Sequence, residues 1–279
     1  MRRCGAMPAG RVLTLEMTSD GVTPVGEDAS LGDASTRLPG GAYSTLRTYG
    51  GRGVVRFGAH LRRLEESVAQ LGRPAAVDPA VARQLVGAAL RAGGHAESRL
   101  RLTFAPPRLL ASVEAFVPLP RSRYELGVAC ATLPLRRAQP RVKDTRFITT
   151  AQRAYRDLPP GVEEGLLVAE DGAILEGLSS NFFGVLEGRL RTEEERVLSG
   201  ITRALALEVA EARLALDRRA LCRDDLPRIS EAFITSASRE VLPVVRIDGE
   251  PVADGHPGPH TLAIIRAFDA LVRGEAETL

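Results

Sequence analysis

Residues 165–186 read GLLVAEDGAILEGLSSNFFGVL, and this stretch changes character more than once. Gly165–Ala169 is a short apolar run that ends at Asp171-Gly172, a pair that tolerates the left-handed backbone of a tight hairpin loop. Phe182–Leu186 is a second run of aromatic and branched residues, so the segment reads as strands joined by turns. Between them, Glu176 before Gly177 is by itself a turn residue. Gly177-Leu178-Ser179-Ser180-Asn181 begins like the nucleophile elbow of a serine hydrolase, but Asn181 stands where that motif requires glycine, which argues against that chemistry.

Moving outward from this stretch, Gly127–Leu135, Ala232–Thr235 and Val241–Ile247 read as further strands, with a turn at Asp248-Gly249. Ile201–Leu214 is an amphipathic helix with Ser199 ahead of it as a cap, and Pro259–Arg273 is a terminal helix. Toward the N-terminus, Ala42–Phe57 reads as a hairpin around Gly50-Gly51-Arg52-Gly53. The period then changes: Leu61, Leu64, Val68 and Leu71 line one face of a helix over Ala59–Leu71. Asp78 and Pro79 open a second helix that Gly93-Gly94 closes, and strands follow at Arg99–Phe104 and Leu109–Val117. Residues 1–40 show little periodicity and read as a partly irregular lead-in with short strands near Val12–Met17. Pro118–Glu125 is the best linker. The expectation is an α+β (mixed α/β) chain in two parts: an N-terminal α/β domain over 1–119, a linker over 120–127 and a C-terminal domain over 128–279.

The 279 residues, 44% hydrophobic and 26% charged, suffice for one large or two modest cores. No apolar run approaches the roughly 20 residues of a membrane-spanning helix, and Arg11, Glu16 and Asp20 follow the basic start too soon for a secretory signal, so the reading is cytoplasmic. A net charge of +2 with the signs interspersed gives no footprint for nucleic acid. Cys4, Cys130 and Cys222 are far apart and suggest neither a disulfide framework nor a zinc site. His256 and His260 have the spacing of helical metal ligands, but Pro257-Gly258-Pro259 between them prevents that helix and makes them loop residues. No phosphate-loop motif exists, and Val54 continues strand-like after Gly53 where a dinucleotide fingerprint would open a helix. Lys143 is the single lysine among 37 basic residues. Arginine stays charged and cannot form an imine, whereas an amine can lose its proton and attack a carbonyl.

Several short segments in fixed order carry a resemblance: His60-Leu61-Arg62-Arg63-Leu64, Val142-Lys143, Leu175–Phe183, Leu198-Ser199-Gly200-Ile201-Thr202-Arg203, and Phe233–Ser238 through Pro243-Val244. With them the chain resembles the class IV aminotransferases, the fold-type IV pyridoxal-phosphate enzymes that include branched-chain and D-amino acid aminotransferases and aminodeoxychorismate lyase. The resemblance implies a smaller N-terminal domain, a larger C-terminal one and pyridoxal 5'-phosphate at their interface. It further implies that Lys143 is the Schiff-base lysine and shuttles the substrate's α-proton, and that Glu176 pairs with the pyridine nitrogen. Arg63, rather than its neighbour Arg62, would bind the phosphate. Ile201 and Thr202, opening a helix, would present free N–H groups, a dipole end and a hydroxyl to the same phosphate. Ser179, Ser236 and Ala237 complete the cofactor set. Relatives often have threonine at position 237, so one side-chain contact is lost.

The implied reaction is transamination between an amino acid and a 2-keto acid, both small molecules, in a homodimer. Tyr43, Thr45, Arg47, Arg101 and Ser238 are the substrate-binding candidates, although Arg47 and Arg101, being on strands, are equally placed to face solvent. Tyr43-Ser44-Thr45 departs from the aromatic, glutamate and glycine of branched-chain enzymes, and Ile148 stands where these usually carry a tyrosine. Thr45 resembles the lyase members, which keeps a pyruvate-releasing aminodeoxychorismate lyase as the alternative.

Overall fold

A computed structural model of the chain describes residues 11–279; Cys4 and the basic start lie outside them. Contacts divide the chain into two units, one comprising the residues up to Val117 with Val142–Thr150 and Arg273–Leu279, the other Pro118–Arg141 with Ala151–Val272. The expected division differs in two places. Residues 142–150, which carry Lys143, and the last seven residues belong with the N-terminal unit. The reason for the first is backbone pairing: Tyr43 N–H donates to the Lys143 carbonyl at 2.9 Å and Thr145 N–H to that of Gly41 at 3.0 Å.

The first unit contains β1 (Val12–Thr18), β2 (Gly21–Asp28), α1 (Leu31–Arg37), β3 (Ala42–Arg47), β4 (Gly53–Val54), α2 (Phe57–Gln70), α3 (Pro79–Gly93), β5 (Ser98–Ala105) and β6 (Arg108–Ala115). An antiparallel sheet in the order β2-β1-β6-β5-β3 packs Leu46, Leu100, Leu102 and Val113 against Leu61, Leu64, Leu85 and Val86 of the two long helices. The second helix follows its sequence signals: Asp78 accepts from the N–H groups of Ala80 and Val81, and Gly94 closes the end at φ 64°. Other expectations are corrected. Positions 21–37 form β2 and α1 rather than irregular chain, because β2 pairs along β1 and Ser30 caps α1. Ala42–Phe57 turns at Gly50-Gly51, both left-handed, and Tyr49 and Gly53 exchange both backbone hydrogen bonds across the turn, but the expected hairpin stops at that single bridge: β3 runs along β5, from Ala42 opposite Phe104 to Arg47 opposite Arg99.

The second unit follows with α4 (Arg121–Leu126), β7 (Val128–Leu133), α5 (Arg146–Arg156, begun in the first unit), β8 (Val162–Val168), β9 (Ala173–Gly177), β10 (Asn181–Leu186), β11 (Arg189–Arg191), α6 (Ile201–Glu211), β12 (Ala215–Asp217), β13 (Leu221–Cys222), β14 (Glu231–Ser236), β15 (Glu240–Ile247), β16 (Glu250–Pro251) and α7 (Pro259–Glu275). The chain ends in β17 (Glu277–Thr278), which pairs with β4 in the first unit. The expected linker is largely helical, as α4. Strands β10, β14, β15, β7, β8 and β9 form a ring, closed where Asn181 of β10 sits opposite Glu176 of β9. Phe182, Ile234, Leu242, Val244 and Leu166 fill its core. The carboxylate singled out in the sequence therefore lies at the closure.

Among the described residues no helix is long and apolar enough to cross a membrane, and no His, Cys, Asp and Glu cluster could hold a metal ion. His260 is the second residue of α7, not a loop residue; its N–H and that of Thr261 donate to Glu231, which caps the helix.

Candidate active site

In the first unit, the site begins with the chain around Lys143. Its N–H donates to Ser67 Oγ of α2 at 3.2 Å, and Asp144 accepts from Arg146 N–H at the start of α5, so the lysine is fixed between an added edge of β3 and a helix start. Its ammonium lies 4.9 Å from the centre of the Tyr43 ring, and the Arg101 guanidinium lies 4.9 Å from the same centre. Side chains alternate along β3, so Tyr43 and Thr45 share one face, and Thr45 is paired with Arg101 across the strands. Tyr43, Thr45, Arg101 and Lys143 are thus neighbours. Arg101 donates to the Leu31 carbonyl at 2.9 Å and Ser35 Oγ at 2.6 Å of α1, and its Nε is buried without a hydrogen bond. Arg47 lies further along, its guanidinium 4.3 Å from the ring centre of Tyr49 and 4.6 Å from that of Phe116.

Ser44 faces the other way, toward α2. Arg63, buried on that helix, donates to Ser44 Oγ at 2.7 Å, and His60 Nδ1 is 2.8 Å from the same hydroxyl. Burial, then the charges of Arg63 and Lys143, push His60 well below the usual imidazole range, so the ring is neutral at pH 7. Arg63 can only donate; the hydroxyl accepts from it and is satisfied by donating to a neutral Nδ1. Arg63 forms no ion pair among the described residues, its Nε is buried without a hydrogen bond, and burial, opposed in part by Tyr43 and Glu66, lowers it to about 10. A buried guanidinium in this condition needs an anion. Arg62, its neighbour, is exposed.

In the second unit, Glu176 is buried, with Oε1 at 2.8 Å from Arg137 Nε. Its Oε2 accepts from Leu198 N–H at 3.2 Å and from the Asn181 amide at 3.3 Å. The same amide donates to the Leu198 carbonyl at 2.9 Å, and a β-carbon on Gly200 would stand 2.2 Å from Asn181 Oδ1. That close approach explains why glycine, rather than the expected Ser199, is the N-cap of α6. No side chain caps the helix, so the first-turn N–H groups around Ile201 and Thr202 can receive a ligand. Ser179 Oγ is engaged within the protein: it lies 2.5 Å from Tyr155 Oη, 3.2 Å from Glu164 Oε2 and 2.8 Å from Arg239 Nη2. Ser236 Oγ accepts from the N–H and the Nε of Arg239, both at 3.2 Å, and Ala237 and Ser238 form the turn between.

Each unit by itself carries groups whose chemistry fits pyridoxal phosphate: the first an amine and a buried guanidinium without an ion-pair partner among the described residues, the second an uncapped helix start and a buried carboxylate. Residues 41–247 match the family model "Amino-transferase class IV". The chain belongs to that family. A D-alanine aminotransferase of Bacillus licheniformis is 26% identical over 260 residues, 87% of this chain and 91% of that protein. A branched-chain-amino-acid aminotransferase of Pseudomonas aeruginosa is 33% identical over 133 residues, 47% of this chain and 43% of that one. Among solved structures, a putative branched-chain amino acid aminotransferase of Thermotoga maritima aligns with a TM-score of 0.78 and 25% identity, over 93% of this chain and 96% of that chain. The fold is therefore that of the fold-type IV transaminases.

Sequence reasoning missed several residues that contact the candidate site residues. His60 lies inside a quoted motif but its hydroxyl partner is sixteen residues away. Arg137, Tyr155, Glu164 and Arg239 had no motif at all; the one available signal was the position of Arg239 directly after Ser236-Ala237-Ser238.

Proposed function

We propose that this class IV enzyme, with pyridoxal 5'-phosphate as its cofactor, moves an amino group between an amino acid and a 2-keto acid, and that Lys143 is its catalytic residue. The observation that carries the reading is the sole amine side chain of the sequence, standing beside Tyr43 on the same unit as the acid-free Arg63. When bound, the cofactor supplies an electron sink for the pair left when the substrate's α C–H bond breaks. Lys143 Nζ would hold the cofactor and, once freed by substrate, would be the base that takes the substrate's α-proton and the acid that gives it back. On the family resemblance, Arg63 would hold the phosphate, as would the α6 start at Ile201 and Thr202 and the Ser236-Ala237 turn, with the Ser179 hydroxyl acting from within its network. Glu176 would keep the ring nitrogen protonated, and Arg137 with the Leu198 N–H orients that carboxylate. Tyr43, Thr45 and Arg101 would bind the substrate carboxylate, the Ser238 turn would also serve it, and Arg47 marks the outer end of the β3 face.

On the family resemblance the enzyme works as a homodimer. The test is reduction of the yellow protein with borohydride followed by peptide mapping, which should place the pyridoxyl group on Lys143, together with Lys143→Ala, which should lower turnover by roughly 10³-fold. An adduct elsewhere, or full turnover in K143A, overturns the reading. Thr45 favours a second one, a lyase releasing pyruvate and 4-aminobenzoate from 4-amino-4-deoxychorismate. Pyruvate formed without any keto-acid acceptor would identify it.

A further inference from the structure

Glu164 on β8 is fully buried, yet no step proposed above uses it. Its Oε1 accepts from Tyr155 Oη at 2.7 Å and from the Gly165 N–H at 3.1 Å. Its Oε2 accepts from Ser180 Oγ at 2.9 Å, Ser179 Oγ at 3.2 Å and Arg239 Nη2 at 2.5 Å. Five polar groups converge on one carboxylate, the neighbouring Gly165 N–H and four side chains from three separate segments. Tyr155 is on α5, the helix that starts three residues after Lys143. Ser179 and Ser180 form the turn that follows Glu176. Arg239 closes the turn that begins at Ser236.

Contacts at both ends of these segments are equally tight. A β-carbon on Gly177 would stand 2.2 Å from Ser180 Oγ and 2.8 Å from Glu164 Cγ, so the chain leaving Glu176 lies directly on the Glu164 stem. Arg239 is used at every end: Nη2 on Glu164 and Ser179, Nε and its own N–H on Ser236 Oγ, and its carbonyl accepting from Tyr124 Oη at 3.2 Å. Burial alone would disfavour the charged guanidinium, but the carboxylate of Glu164 outweighs it and holds Arg239 charged; burial and the same carboxylate keep Tyr155 protonated as a donor. All five polar side chains are satisfied within the protein, so this group is not itself a ligand site.

We infer that Glu164 and Arg239 are a positioning pair, whose buried contact fixes the Ser236–Ser238 turn and the Glu176–Ser180 segment in the geometry that receives cofactor and substrate carboxylate. The inference rests on the function proposed above, because it assigns that turn to phosphate and carboxylate. It makes a demand that a merely structural ion pair does not. Breaking a buried pair from one side leaves an unpaired charge and costs stability, whereas removing both partners restores much of it. A positioning pair loses site geometry in either case.

The experiment compares Arg239→Met, Glu164→Gln and the double variant, measuring melting of the cofactor-free protein, pyridoxal phosphate affinity by absorbance titration, the circular dichroism of the bound cofactor, and KM and kcat for the amino donor. Each single variant should melt lower and bind the cofactor about tenfold or more weakly. The double variant should regain most of the melting temperature while its cofactor affinity, dichroic band and donor KM stay impaired. Recovery of affinity in step with melting temperature overturns the inference. Should R239M fail to fold, R239K keeps a charge against Glu164 but gives up the Nε contact with Ser236; it should fold with several-fold weaker cofactor binding. Unchanged affinity and KM in that variant also overturn it. If the unmutated protein takes up no pyridoxal phosphate, the proposed function fails and this inference with it; if it does and the variants match it, only the inference fails.

Discussion

Replacing Arg63 by methionine should move the stability of the cofactor-free and cofactor-loaded protein in opposite directions. Burial, opposed only in part by the charges of Tyr43 and Glu66, lowers the guanidinium to about 10, which corresponds to roughly 3 kcal/mol of net charge-burial penalty at neutral pH. The sign follows from proton linkage: between pH 10 and the ordinary guanidinium value the unfolded chain holds more protons, so stability rises there, and below that window the full penalty is present. Methionine fills similar volume without charge. Against this gain stands the hydrogen bond to Ser44, about 1 kcal/mol, and the loss of a donor to the buried serine and histidine pair. The net expectation is a cofactor-free variant more stable by about 1–2 kcal/mol, a rise in melting temperature of a few degrees. In the loaded enzyme the phosphate neutralises Arg63, so the variant gives up charge-assisted hydrogen bonds of about 1.5–3 kcal/mol each and should bind pyridoxal phosphate roughly 100-fold more weakly. Scanning calorimetry of both forms, with a cofactor titration, reads both quantities. A variant that melts below the cofactor-free wild type and binds the cofactor equally well would refute the reasoning, because Arg63 would then be a packed structural residue and not a charge waiting for an anion.

Other residues give separate tests. His60, held well below 6.5 and neutral in the fold, binds a proton more readily when unfolded, so stability contributed by its neutral state is present above pH 6.5 and lost as pH falls below it; H60N should flatten that acid limb in urea titrations at pH 7 and 5.5. Gly200→Ala places a methyl 2.2 Å from Asn181 Oδ1 and should cost about 1–3 kcal/mol while weakening cofactor binding, read from melting and titration. Asp78→Ala removes the cap of α3, away from the site residues, and should cost about 1 kcal/mol in denaturant with kcat unchanged.

What could be read from the sequence was what is encoded locally. The cap, the first proline and the closing glycine of α3 are adjacent in the chain, and so is the turn at Asp171-Gly172; their physics needs no distant partner. The lone lysine was legible because reactivity follows residue type. Failure came where a residue's state depends on a remote neighbour. Residues 31–37 have weak periodicity, yet they fold as α1 and take hydrogen bonds from Arg101, some 70 positions away. The glycine turn at 50–53 was visible, but the partner of β3 was not, because pairing with β5 is decided by the sheet as a whole and not by the loop.

The buried charges show why a motif locates a site without describing its state. Arg63 lies inside a recognised segment next to Arg62 and Arg239 directly after another, and burial acts against both. Burial lowers Arg63, which Tyr43 and Glu66 oppose only in part; Glu164, 75 residues before Arg239, reverses that effect for the other. One arginine is therefore free to take an anion and the other is consumed by the fold. The distinction predicts opposite outcomes for the same arginine-to-methionine substitution in the cofactor-free protein: R63M should raise the melting temperature, whereas R239M should lower it by stranding Glu164. Two falls would mean that Arg63 is not in the electrostatic state assigned to it, and two rises that Arg239 is not.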